Sequence, residues 1–220
     1  MAAIRLAELK YACGFLKVCD LEVLGYHDSG MADWGYRHQS MVFCNVAVPV
    51  VAARIGELFE RHRPQVIITH NADNKLQHLD HIHAGRAAAL AIEMTDIPAK
   101  LYFKAHGTSY WNRVREALAQ VGIARAAPGS HQLQQWEQVE RQITTTIDVK
   151  DVIDRKRKAL LAHGSQLNSS LAAKIPAELW PLVFGAETYI RKYDTTCTPT
   201  PEDDLFAGLR PDGDQLLPED

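Results

Sequence analysis

The chain has 220 residues, 46% of them apolar, and its 24 basic and 27 acidic side chains leave a formal net charge of −3. That length suits one domain, or one domain with an appendage, and the near-neutral balance argues against a nucleic-acid binder or a membrane-surface protein. No apolar run reaches the length of a bilayer span, no charged-then-apolar leader opens the chain, and Cys13, Cys19, Cys44 and Cys197 lack CxxC spacing, which reads as reduced thiols in a cytoplasmic protein.

In chain order, Met1 to Val18 reads as a helix, with Leu6, Leu9, Cys13 and Leu16 recurring along one face. Leu21 to Tyr26 reads as a strand, followed by a loop from His27 to Met31. Asn45 to His62 is a second helix, with apolar positions at Val48, Val51, Ala52, Ile55, Leu58 and Phe59. Pro64 breaks it and leads into Val66-Ile67-Ile68, a short continuous apolar run of the kind found in buried parallel strands. The alanine-rich run from Ile82 to Ile92 reads as a helix. Pro98 turns the chain into Lys100 to Lys104, a strand, and Tyr110 to Val121 reads as a helix. The stretch from Pro128 to Gln142, rich in Gln, is not assigned to an element. Ile143 to Ile147 is β-branched and strand-like, and Asp148 or Asp151 caps a helix running through Leu160 to about Gln166. Beyond Tyr193 apolar periodicity vanishes among Thr, Pro, Asp and Gly, so a folded body over residues 1–193 and a loose acidic tail over 194–220 are expected.

Strands alternating with helices define an α/β fold with a Rossmann-like parallel sheet and flanking helices. Such folds open on a strand, whereas this chain opens on a helix, so the first strand is missing from the pattern. Between the Val66 strand and the alanine-rich helix lies Thr69 to His81, where His70, Asp73, His78, Asp80 and His81 gather at a strand end. Ligands of open α/β sheets bind there. His78 and His81, three apart at a helix start, share a side, and Asp80 can orient an imidazole through its second nitrogen. A catalytic zinc takes about three protein ligands and an open position for water. This loop supplies one or two. Taken by itself, HxDH is equally well a set of surface or capping residues.

Several ordered segments nonetheless resemble one family. Arg-Pro-Gln-Val-Ile-Ile-Thr-His (residues 63–70), a short polar loop and His78-Leu79-Asp80-His81 look like the PIG-L/LmbE-like zinc-dependent de-N-acetylases, which include sugar deacetylases and mycothiol S-conjugate amidases. Arg5 to Leu9 is similar to the family's R-x-x-E-L helix, and Leu24 to Met31 to its L-G-y-x-D-S-G-M loop. Asp154 to Leu160, with His163 and Ser165-Gln166, is similar to its late K-x-x-A-L…H-x-S-Q helix. The resemblance implies a Rossmann-like hydrolase that binds one zinc and acts on a small N-acyl amino sugar. It implies that His81 is a metal ligand, that His78 is the imidazolium facing the oxyanion, and that Asp80 tunes its charge. Arg5 and Asp28 would contact the substrate.

The departures matter as much. No A-H-P-D-D segment occurs, so two of the family's zinc ligands and its aspartate base are absent. Leu79 replaces a proline, and Lys75-Leu76-Gln77 replaces a loop bearing glycine and tyrosine. An N-terminally truncated form, with weak zinc binding and impaired hydrolysis, is therefore expected. The alternative is a non-catalytic member that binds a sugar-like ligand or a protein partner. A homo-oligomer is compatible with either reading; a nucleic-acid partner is not, because Arg155 to Lys158 is a short basic run flanked by Asp151 and Asp154. His27 and His70 read as weak substitutes for the absent ligands, His106 as a polar loop residue, and Trp34, Trp111, Trp136 and Trp180 as packing groups.

Overall fold

A computed structural model describes residues 2–30, 38–75 and 77–210. Met31 and Trp34, Leu76, and residues 211–220 of the expected tail lie outside the described residues. The chain divides into two compact units, one of Met1–Val23, His106–Glu140 and Asp148–Glu187, the other of Leu24–Ala105, Arg141–Ile147 and Thr188–Asp220. The whole is α/β, and among the described residues no helix is long and apolar enough to cross a membrane.

The first unit is helical. Helix α1 (Ala2–Leu16) packs beside α6 (Ile153–Leu161), and Glu8 of α1 accepts hydrogen bonds from the Ser165 amide at 2.6 Å and hydroxyl at 2.7 Å. These bonds hold the Glu8 carboxyl below its ordinary range. Helices α4 (Thr108–Gln120) and α7 (Trp180–Phe184) enclose a core of Val114, Ala117, Leu118, Ile175, Trp180, Val183 and Phe184. Helix α5 (Ser130–Gln142), which the sequence left unplaced, buries only Trp136 and Val139, three apart, and Trp136 stacks on Trp111 at 5.4 Å. A two-residue apolar face in a glutamine-rich run is too narrow to register as periodicity.

The second unit carries a four-stranded sheet in the order β1-β2-β4-β3: β1 is Val66–His70, β2 Lys100–Lys104, β3 Thr145–Asp148 and β4 Ala186–Asp194. Strands β1 and β2 run parallel, but β4 pairs antiparallel with β2, so the sheet is mixed where a parallel one was expected. The Val66 run is also less enclosed than its composition suggests. Among the described residues β1 has β2 as its one neighbour, and Ile68 is exposed.

Leu21–Tyr26 is not a strand. Gly25 takes a left-handed φ of 76°, which breaks the extension, and the Leu24 carbonyl accepts a hydrogen bond from the Arg54 guanidinium at 2.7 Å instead of from a neighbouring strand. A single bridge joins His27 to Val42.

Strand β4 escaped the sequence reading because Glu187, Arg191, Lys192 and Asp194 interrupt its apolar positions. The structure partners these charges: Lys192 pairs with Asp73 at 2.8 Å, and Arg191 with Glu202 at 2.7 Å. Glu202 overturns the expectation of a loose tail directly after Tyr193. Its carboxylate is buried and accepts hydrogen bonds from Lys100 (2.7 Å), Arg191 (2.7 Å), Tyr102 (2.9 Å) and Thr145 (3.0 Å), while its backbone bridges to Thr145 beside β3. Burial would raise its pKa; those donors outweigh the effect and hold it below the usual range. One acidic residue therefore pins a segment whose composition reads as solvated.

The site depends on how closely α3 (Leu79–Thr95) lies against β1. Helix α3 is rich in alanine and packs along α2 (Val48–His62), burying Ala87, Ala88, Ala91 and Ile92, while α2 buries Val51, Ala52, Gly56 and Phe59. At Gly85 the approach is closest: a Cβ there would overlap the His70 carbonyl oxygen and lie 3.0 Å from the Ala72 Cβ.

Two stability outcomes follow. Glu202→Ala strands the Lys100 ammonium, which has 0% exposure, without its carboxylate, so unfolding in urea should show a loss of about 3–5 kcal/mol; a loss below about 1 kcal/mol would refute the anchoring role. Gly85→Ala would gain about 1 kcal/mol of helix propensity at an open position. Here overlap with a backbone carbonyl should win, for a net loss of about 1–3 kcal/mol, and a stabilised variant would contradict this packing.

Candidate active site

The HxDH segment begins α3. His78 is the N-cap, and its Nδ1 accepts a hydrogen bond from the Asp80 amide at 3.2 Å, satisfying one of the free donors of the first turn. Asp80, in that turn, places negative charge at the positive end of the helix dipole. The other wall is the loop of Asp28, Ser29 and Gly30. Asp28 accepts from the Gly30 amide at 2.7 Å, and Gly30 adopts φ 67°, a left-handed turn that glycine makes without steric cost.

Loop and helix are joined by short hydrogen bonds. The Ser29 amide donates to Asp80 Oδ2 at 3.0 Å and its hydroxyl to Asp80 Oδ1 at 2.5 Å. His78 Nε2 lies 2.7 Å from the Gly30 carbonyl. That carbonyl can only accept, so Nε2 carries the proton, and Nδ1, which accepts from Asp80 N–H, is bare. These partners, an acceptor at Nε2 and a donor at Nδ1, fit His78 as the Nε2–H tautomer. Asp80 Oδ2 accepts from the Ser29 amide and lies 3.8 Å from His78 Nδ1, beyond hydrogen-bond length but close enough for its charge to act on the ring.

His81 lies one helical turn before Gly85, on the same side of α3, and the close packing at Gly85 brings it to the carboxyl end of β1. Its ring stacks on that of His70 with centroids 3.8 Å apart and planes 3° from parallel. His81 is exposed to solvent but sits at the mouth of the sheet, where the sequence placed it. His70 also has solvent on its outer side, yet desolvation in this crowded corner, then repulsion from His81 and Lys104, pushes its pKa down to about 4. Desolvation and His78 lower that of His81 as well, against the pull of Asp80 and Asp28. Stacked face to face, two neutral rings avoid the repulsion that two imidazoliums would suffer.

The donors can be tested against a zinc site. Ligand atoms of Asp28, His78 and Asp80 lie within 4.8 Å of one another. His78, however, has no lone pair to offer, since one nitrogen is protonated and the other accepts from Asp80. Among the described residues no hydrogen bond engages the ring nitrogens of His70 or His81, but parallel rings direct their lone pairs side by side and not toward a common point. Two such donors are also fewer than the three a catalytic zinc uses. These residues do not form a complete zinc centre.

The structure therefore brings Asp28, His78, Asp80 and His81 together in one unit. Arg5 lies exposed on α1 of the other unit. His106 also belongs to that unit, stacked on Tyr110 at 4.0 Å. Ser29 and His70 are the participants that sequence reasoning undervalued. Ser29 was visible as part of a D-S-G turn, but a lone serine carries no signal of burial. His70 reads from the sequence only as a weak substitute ligand, because nothing local shows that its ring meets that of His81.

Comparison with known proteins identifies relatives of the chain. The family model described as "PIG-L: GlcNAc-PI de-N-acetylase" matches residues 1–92. The 1D-myo-inositol 2-acetamido-2-deoxy-alpha-D-glucopyranoside deacetylase of Acidothermus cellulolyticus is 31% identical, over 95% of this chain and 75% of the relative. The enzyme of the same name from Streptomyces griseus is 31% identical over 94% and 70% of the two chains. The mycothiol S-conjugate amidase of Streptomyces coelicolor is 31% identical over 86% and 71%. With similarity running through nearly the whole chain, and the HxDH helix and D-S-G loop meeting at a strand end, this protein belongs to the PIG-L family of de-N-acetylases.

Proposed function

We propose that the chain is an amide hydrolase that removes an acyl group from the nitrogen of a small amino sugar. The observation that carries this reading is the junction of Asp28, His78, Asp80 and His81 at the end of β1, on residues that the family resemblance singles out. Hydrolysis adds a hydroxyl to the acyl carbon and a proton to the nitrogen as the C–N bond breaks. Negative charge develops on the acyl oxygen at the tetrahedral stage and calls for a fixed donor.

His78 Nε2–H is that donor. Without substrate it is held on the Gly30 carbonyl, so an acyl oxygen would take the proton's hydrogen bond over from that carbonyl with little movement of the ring. Asp80 fixes the helix start against the loop. Asp28 contacts the polar substrate, and His81 offers a nitrogen to the metal. Zinc is the metal implied by family, and no step is assigned to it, because the described donors do not complete its site. The same shortfall favours slow turnover, and it gives substance to a second reading in which the chain binds a sugar-like ligand without hydrolysing it.

Metal content after dialysis and acetate release from N-acetylglucosamine in zinc-supplemented buffer separate these readings. The hydrolase reading expects well under one zinc retained per chain and slow acetate release that His81→Ala abolishes. One tightly held zinc per chain with fast turnover would refute the incomplete ligand set. Sugar binding without any acetate release would favour the second reading.

A further inference from the structure

Ser29 is fully buried, at 0% exposure, and joins three separate stretches of chain. Its hydroxyl has one proton to give. The Cys44 amide, in the 3-10 turn Phe43–Asn45, donates to the Ser29 oxygen at 3.1 Å, which leaves the hydroxyl proton for Asp80 Oδ1 at 2.5 Å. The Ser29 amide takes the second carboxylate oxygen at 3.0 Å. Both oxygens of Asp80 are thereby fixed by one residue.

The residues on either side of Ser29 face the expected chemistry. Asp28 precedes it, and Gly30, whose carbonyl receives His78 Nε2–H at 2.7 Å, follows it. Displacing Ser29 would move the loop carrying Asp28, the carbonyl that sets the His78 tautomer, and the carboxylate at the start of α3. A serine chosen only for turn propensity would face solvent; this one is enclosed and bonded on every polar atom of its side chain.

We propose that Ser29 is a positioning residue that latches the Asp28 loop and the Phe43–Asn45 turn to the first turn of α3 through Asp80. It sets the orientation of His78 without touching substrate. The latch itself stands on the hydrogen bonds above; its effect on turnover rests on the hydrolase reading.

The test uses the full chain with Ser29→Ala, which removes the hydroxyl at nearly constant volume, and Ser29→Thr, which restores it. Hydrogen exchange is followed at residues 42–46 and 78–82, and acetate release from N-acetylglucosamine is measured with zinc supplied. Losing a hydrogen bond to a charged group should speed exchange in both segments by about tenfold or more in the alanine variant. It should lower kcat by about tenfold while KM moves less than about twofold, a split that mere loss of folded protein would not produce. Thr should recover both. If its methyl group prevents cooperative folding, the alanine variant's exchange decides. Unchanged exchange in both segments would overturn the latch, and faster exchange with unchanged kcat would overturn the positioning role. If the unmodified chain releases no acetate, the hydrolase reading fails and exchange alone judges the latch.

Discussion

The carboxylate of Asp80 is the point at which local helix chemistry becomes tertiary structure. A first-turn aspartate is ordinarily a favourable partner for its own helix dipole and no more. Here the two oxygens receive the Ser29 hydroxyl and amide, so the helix start is locked to a loop 51 residues earlier in the chain. Everything at the site inherits that constraint. The Gly30 carbonyl is held where it orders the His78 ring, the ring's other nitrogen caps the helix, and Asp28 is presented beside both.

A second constraint is steric. Helix α3 can reach the carboxyl end of β1 only because Gly85 has no side chain to meet the His70 carbonyl. His81 shares that side of the helix, and its stack on His70 follows from the same close approach. The two constraints act at different points, one at the helix cap and one a turn further on. Together they fix both the position and the rotation of α3, and hence the side to which each residue of HxDH faces.

Much of this was legible in the sequence for stated physical reasons. Helices α2 and α3 announced themselves through apolar spacing and alanine content, and β1 and β2 through short apolar runs after prolines. The placement of HxDH at a strand-to-helix junction needed only that order. What the sequence concealed was long-range compensation. The charges of β4 look unsuited to an interior strand until Glu202 and Asp73 are seen opposite them, and Leu21–Tyr26 looks like a strand until Gly25 and the Arg54–Leu24 hydrogen bond are taken into account. The same holds at the site. HxDH is readable, but the residue that fixes it is a serine, whose burial and partners are set by a fold that local spacing does not encode.

The chemistry proposed for this site turns on one proton. Hydrogen bonds from the D-S-G loop and the α3 cap call for His78 to carry it on Nε2, where it can turn toward a substrate oxygen, and to leave Nδ1 bare as the acceptor of the cap bond. Long-range proton–nitrogen NMR of the imidazole, on the intact chain near neutral pH, reads this directly. The account predicts a protonated Nε2 and an unprotonated Nδ1 for His78. A proton on Nδ1, alone or in a doubly protonated ring, would contradict it.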